Sequence, residues 1–193
     1  MASFVLVRHA SAGSQAPNAD LTLQGWAEAE ALARRLRGWH FDAAWSSDLP
    51  RAVGTAEIIL RGRKGPVLQK SPLLREVEPP ADGLLERDQE GYAEWERVAT
   101  EEVAERLRRW LRVSVPAGCG GGSATHHPSL VTHRPSVLVV SHAGPLRVLI
   151  CLLLGLPPEM QWSFRLDLAS LSIVERGDDM GTILLQNDRC HLQ

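Results

Sequence analysis

Strand-like and helix-like segments alternate along this chain, which predicts an α/β fold: a three-layer α/β/α sandwich around a mostly parallel mixed sheet. Three observations carry that expectation. Short apolar runs at residues 4–7, 43–45 and 137–140 end abruptly on polar residues. A segment of helical periodicity follows each of them. Near the end, two strand-like runs meet across Gly177-Asp178-Asp179-Met180-Gly181, the signature of a hairpin and so of an antiparallel edge.

The first run is a buried strand that delivers Arg8 and His9 to the carboxyl edge of the sheet, where open α/β folds bind ligands. A polar loop, 11–20, leads to a helix opened by Thr22, with Trp26, Ala29, Leu32, Ala33 and Leu36 inward and Gly38 as its stop. After the strand at 43–45, Asp48 caps a second helix and Pro50 sits in its first turn. That helix buries Val53, Ala56, Ile59 and Leu60 and ends at Gly62. Val67-Leu68-Gln69 is a third strand, and the loop from 71 to about 90 carries Leu74-Arg75-Glu76. From about Tyr92 to Arg112 a helix turns Trp95, Ala99, Val103, Leu107 and Trp110 inward. Residues 116–135, rich in Gly, Ser, Thr, His and Pro without periodicity, read as a flexible insertion. The strand at 137–140 ends on Ser141 and His142, with an apolar helix behind it as far as Gly155. Strands at 164–167, 170–175 and 182–185 complete the sheet.

Residues 1–193 read as one domain, long enough to bury roughly 70% of its unfolded surface. A hydrophobic fraction of 44% and a charged fraction of 23% suit an ordinary globular chain. The net charge of −2 gives no general attraction to nucleic acid or to an anionic membrane, so any anion specificity is local. No apolar run reaches membrane-spanning length, and the N-terminal one stops at Arg8, too short for a signal peptide. Cys119, Cys151 and Cys190 are an odd, sparse set without metal spacing. They fit a cytoplasmic setting, with one bridge left open.

Three strand ends thus present His9 with Arg8, Arg51, and His142 at one edge. Each has an ordinary reading alone: Arg8 and His9 as surface residues past a strand, His142 as a structural histidine, Arg51 paired with Asp48 or Glu57. Together, two arginines and two histidines describe an oxyanion site. Other motifs carry less. Gly118-Cys119-Gly120-Gly121-Gly122-Ser123 lacks the Lys-Ser/Thr ending of a phosphate loop. His126, His127 and His133 have no partners at ligand spacing. Ser11 lacks the preceding glycine and immediate helix of a nucleophile elbow.

Six segments in order give the chain a family likeness over nearly its whole length. Leu6-Val7-Arg8-His9-Ala10 resembles the R-H-G signature of the histidine phosphatase superfamily, which includes the cofactor-dependent phosphoglycerate mutases. Leu21-Thr22-Leu23-Gln24-Gly25 is similar to its L-T-x-x-G helix start, and Ser46-Ser47-Asp48-Leu49-Pro50-Arg51-Ala52 to the segment of its second arginine. Leu74-Arg75-Glu76 resembles its L-x-E, Val140-Ser141-His142-Ala143-Gly144 its S-H-G-G, and Asn187-Asp188-Arg189-Cys190-His191-Leu192 its N-D-x-x-H-L.

The resemblance implies a phosphoglycerate mutase-like fold and a histidine acid phosphatase-type phosphoric monoester hydrolase. His9 is then the nucleophile that becomes a phosphohistidine, which water hydrolyses. The residue types suit that chemistry. An imidazole attacks only when neutral, and nearby arginines disfavour its protonated form. One ring nitrogen should be fixed by a backbone carbonyl, leaving the other aimed at phosphorus. Arg8 and Arg51 offer donor forks to the phosphoryl oxygens, His142 completes the cage, and the Ala143 amide opening the next helix adds a dipole. Gln15 stands where the longer family motif has a phosphate-contacting asparagine. Glu76 is the expected general acid, with Glu78 its rival, because Val77-Glu78-Pro79-Pro80 replaces the glycine and aromatics that usually follow the acid. Ala10 replaces a glycine, so either this position needs no positive φ or the turn differs slightly.

This scheme calls for no metal and no cofactor. It implies a cytoplasmic enzyme acting on a phosphorylated small metabolite or a phosphohistidine protein, with Trp39 and Trp162 suited to a homodimer contact. The short stretch from His9 to Leu21 and the little chain beyond the N-D-x-x-H-L match leave scant material for a water-excluding lid, which favours net hydrolysis over phosphoglycerate mutase-type transfer. A catalytically silent phospho-ligand-binding regulator is the other alternative, disfavoured because a binder needs no nucleophilic imidazole.

Overall fold

Successive residues of strand β1 (Ala2–Arg8) feed two separate cores, and this alternation organises the molecule. The computed structural model describes residues 1–14, 16–77, 89–114, 134–178 and 180–193. Among them run, in order, β1, α1 (Leu23–Arg35), β2 (Ala43–Ser47), α2 (Pro50–Leu60), β3 (Leu68–Ser71) and α3 (Gln89–Ser114). There follow β4 (Ser136–Ser141), α4 (Ala143–Leu154), β5 (Leu171–Arg176) and β6 (Thr182–Asp188).

The strands form one sheet in the order β3-β2-β4-β1-β5-β6. β1 lies parallel to β4, which lies parallel to β2, which lies parallel to β3. β5 and β6 run antiparallel on the other side, so the sheet is mixed as expected. Phe4 and Leu6 face a core shared with Val103, Leu107 and Trp110 of α3 and Leu146 and Leu149 of α4. Val5 and Val7 face the opposite core, with Ala29 and Leu32 of α1 and Ala52, Ala56 and Ile59 of α2. Helices on both faces of the sheet make the three-layer sandwich. No helix among the described residues is long and apolar enough to cross a membrane.

Several local expectations give way to tertiary demands. Thr22 does cap α1, its hydroxyl accepting from Gly25 N–H at 3.0 Å, but Trp26 is 46% exposed. The helix is rotated so that Gly25 and Glu28 meet the loop after His9, and Trp26 instead lies under the Arg61 guanidinium. Asp48 does not cap α2. The cap position is Leu49, without a side-chain bond, and the Asp48 carboxylate takes a two-pronged bond from Arg75 at 2.7 and 2.6 Å. Val53 and Leu60 are half-buried, while Ile58 and Ala52 join the core. Val67 is exposed and precedes the strand it was expected to open.

The strand expected at 164–167 is absent because its carbonyls serve side chains. Phe164, Leu166 and Arg165 accept from Arg147, Arg8 and Gln186 at 2.9, 2.7 and 2.7 Å. The flexible insertion expected at 116–135 lies, but for its last two residues, outside the described residues, together with Cys119, His126, His127 and His133. Cys151 and Cys190 are both free.

Candidate functional site

The ends of β1 and β4 are adjacent and parallel, so the residues just past them share one edge. His9 N–H donates to Ser141 at 2.9 Å, and the His9 carbonyl accepts from Ala169 N–H at 3.2 Å. The ring of His9 reaches the Ala10 carbonyl through Nδ1 at 2.8 Å. A carbonyl only accepts, so Nδ1 carries the proton and Nε2 keeps its lone pair. Ala10 is fully buried, donates its N–H to Thr55 Oγ1 at 3.1 Å and does not adopt a positive φ, one of the two readings its departure from glycine left open.

His9 and His142 come together, ring centroids 5.0 Å apart and planes at 60°. His9 is 2% exposed and His142 fully buried. Burial pushes the His9 pKa down to about 4, assisted by Arg51 and Arg8 against the opposing Ala10 bond and Glu28 charge. The sequence suggested the arginines as the cause; desolvation is the larger one. His142 is lowered further, first by burial and then by repulsion from His9 and both arginines. Its Nε2 lies 2.9 Å from Ser47 Oγ, which also accepts from Leu49 N–H at 3.3 Å. With the Ser47 hydroxyl donating to Nε2, the His142 proton sits on Nδ1, which is buried without a hydrogen-bond partner among the described residues.

The arginines bracket the histidines. Arg51, 1% exposed in the first turn of α2, donates to the Ala16 carbonyl at 2.8 Å. Arg8 is half-buried at the end of β1 and donates to Leu166 at 2.7 Å. Ala143 opens α4 directly behind His142. Gln15 lies outside the described residues.

Glu76 joins the same site. A 3-10 turn at Pro72–Leu74 brings it in, held where Ser141 Oγ donates to the Leu74 carbonyl at 2.6 Å and Arg106 to the Arg75 carbonyl at 3.1 Å. Its Oε2 accepts from Gly144 N–H at 3.4 Å, an approach that a side chain at 144 would block. Burial raises its pKa; the Gly144 and Val77 amides, then Arg8 and Arg51, oppose this. The rival Glu78 lies outside the described residues.

Sequence reasoning missed three supports. Glu28, buried on α1, accepts from Ser11 N–H at 2.8 Å and Ser11 Oγ at 3.0 Å and so clamps the loop after His9. A carboxylate on the otherwise apolar face of α1 was the available signal. Ser47 orients His142, as described. His191 Nε2 lies 3.0 Å from the Ala169 carbonyl, bracing the residue that bonds His9. Beside Glu76 opens a cavity of about 310 Å³ between α3, α4 and the turn at Pro158–Ser163. Trp162, which the sequence offered as a dimer contact, lines it, with the Arg147 guanidinium 4.9 Å from its ring. Among the described residues no group of three or more His, Cys, Asp or Glu could hold a metal ion.

This arrangement can bind a tetrahedral anion, attack it with a neutral imidazole, and deliver a proton from a carboxyl group. Comparisons with known proteins point the same way. The chain is 29% identical to phosphoserine phosphatase 1 of Hydrogenobacter thermophilus, over all of this chain and 95% of that one. It is 33% identical to a 2,3-bisphosphoglycerate-dependent phosphoglycerate mutase of Brucella melitensis, over 81% of this chain and 84% of that one. The crystal structure of the alpha-ribazole phosphatase from Shigella flexneri superposes with a TM-score of 0.70 at 25% identity, covering 96% of each chain. The model of the histidine phosphatase superfamily, branch 1, matches residues 4–189, and the chain belongs to that family.

Proposed function

We propose that this protein is a phosphomonoesterase that hydrolyses phosphorylated small metabolites through a phosphohistidine at His9. One observation carries the reading: two buried, neutral imidazoles meet at 5.0 Å, and the charges of Arg8 and Arg51 reach both. In the first step the His9 Nε2 lone pair attacks phosphorus while the bond to the leaving oxygen breaks. Arg8, Arg51 and the His142 Nδ1–H neutralise charge on the non-bridging oxygens, with the Ala143 amide at the helix start in support. Gln15 contributes its amide to the same oxygens. Glu76, whose protonated form burial favours, gives its proton to the leaving alkoxide. In the second step the resulting carboxylate takes a proton from water, whose oxygen attacks phosphorus. The N–P bond breaks, and neutral His9 and inorganic phosphate are released.

The acid phosphatase-type chemistry needs no cofactor, because cationic side chains supply the electrostatics, and it suits a cytoplasmic protein. Acid-quenched turnover of a labelled phosphomonoester should trap an acid-labile, base-stable phosphoenzyme. His9→Ala should abolish the label and lower kcat by at least about 10³-fold. Label that survives acid, or that persists without His9, refutes the mechanism. The mutase relative keeps phosphoryl transfer as a second reading; release of inorganic phosphate in each turnover, without transfer to 3-phosphoglycerate, separates the two.

A further inference from the structure

The cavity beside Glu76 borders the phosphoryl site through Glu76, Ala143 and Gly144, and its walls have a definite chemistry. Glu76, Ala143 and Gly144 form its floor, and Arg147 at its side is near enough to Arg8 for their charges to interact. Val77, Ala99, Val103 and Val148 supply apolar wall, with the indoles of Trp95 and Trp162 among them. Two polar wall residues, Gln161 and Thr100, are buried and bonded to one another at 2.5 Å. The Arg147 guanidinium stacks on Trp162 and spends Nε on the Phe164 carbonyl, leaving donors only at its tip.

We propose that this cavity receives the alcohol portion of the substrate, and that this portion carries a flat, largely apolar ring system. The inference rests on the phosphomonoesterase reading and adds a substrate class to it. A phosphoryl group held by Arg8, Arg51 and the two histidines, with Glu76 at the leaving oxygen, directs whatever that oxygen bears into the cavity. About 300 Å³ is the size at which pockets hold a whole small organic ligand, so a three-carbon hydroxy acid would leave most of the wall wet. An ammonium group on so short a chain would shed water against valines and face the Arg147 guanidinium. An aromatic ring fits indole walls through stacking or edge contacts, and the Arg147 tip can donate to one acceptor on the ring.

Comparing alkyl esters removes the bias of leaving-group acidity. We expect kcat/KM for 2-naphthylmethyl phosphate to exceed that for ethyl phosphate and O-phosphoserine by at least about tenfold, the discrimination apolar pockets achieve. Ala99→Phe, which fills the cavity from α3, should reduce the naphthylmethyl-to-ethyl ratio at least about tenfold. Because the ratio is taken on one preparation, it is unaffected by any unfolded fraction. A wild-type ratio of one or less, a preference for phosphoserine, or a ratio unmoved by Ala99→Phe overturns the proposal. Failure to hydrolyse any of the three esters overturns the phosphomonoesterase reading itself, and this inference with it.

Discussion

His9 and Glu76 are prepared for opposite proton duties by the same physical act. Removing either from water disfavours its charged form, which lowers the pKa of the imidazole and raises that of the carboxyl. The signs set a pH dependence. Neutral His9, the proposed nucleophile, appears as pH rises through about 4, and protonated Glu76, the proposed acid, is lost as pH rises through its elevated pKa. Ionisation of the substrate near pH ~6 is superimposed on both. Glu76→Gln should therefore abolish the falling limb, leave the rising one, and lower kcat for alkyl esters by about 10²-fold or more. It should hardly affect p-nitrophenyl phosphate, whose leaving group needs no proton. A pH–rate profile that keeps its falling limb would place the acid elsewhere. Arg8, His9, Arg51 and His142 were legible in the sequence because each sits at, or a short turn beyond, an apolar run. Glu28 was not, because its partner Ser11 lies in a loop without periodicity.

At the scale of elements, helix α1 acts as a clamp on the loop after His9. Gly25 approaches so closely that a Cβ there would strike the Ser11 carbonyl, whose backbone Glu28 holds in place. Gly25→Ala should destabilise the fold by about 1–3 kcal/mol, seen as a lower urea midpoint at unchanged slope. Gly54→Ala is the fitting control, since its Cβ would meet only the end of the Leu21 side chain at 3.2 Å. Its effect should stay within about 0.5 kcal/mol. Helices and sheet strands were largely legible, because each pairs a periodic apolar face with a turn residue. The misreadings arose where a polar side chain from a distant element took over a backbone or cap: Arg75 drew Asp48 away from α2, and Arg8, Arg147 and Gln186 consumed the carbonyls of 164–166. Local pattern does not encode partners that lie far off in the chain.

For the molecule as a whole, burying two neutral histidines links stability to pH. An unfolded chain takes up these protons near 6.5, whereas folded His9 resists until about 4 and His142 until lower still. The unfolded state thus binds more protons across this window, and stability present above pH 6.5 drains away as pH falls. His9 alone contributes a loss on the order of 3 kcal/mol by pH 4. Glu76 works in the opposite sense, gaining stability as pH falls through its raised pKa. The carboxylates held down by partners, Asp48, Asp167 and Asp188, yield only below their ordinary range. Urea titrations between pH 7 and 4.5 should show wild-type stability falling and His9→Asn following a shallower slope; parallel slopes would refute the linkage.

The strand order also dictates a timetable. β1 is made more than a hundred residues before its two neighbours, β4 and β5. At typical translation speeds that interval is on the order of ten seconds. Throughout it, Phe4-Val5-Leu6-Val7 has two open hydrogen-bonding edges and four bulky apolar side chains, the features that recruit other nascent chains. A protein whose interior strand is made so long before both its neighbours therefore has reason to depend on chaperone shelter during synthesis, however stable it becomes once released.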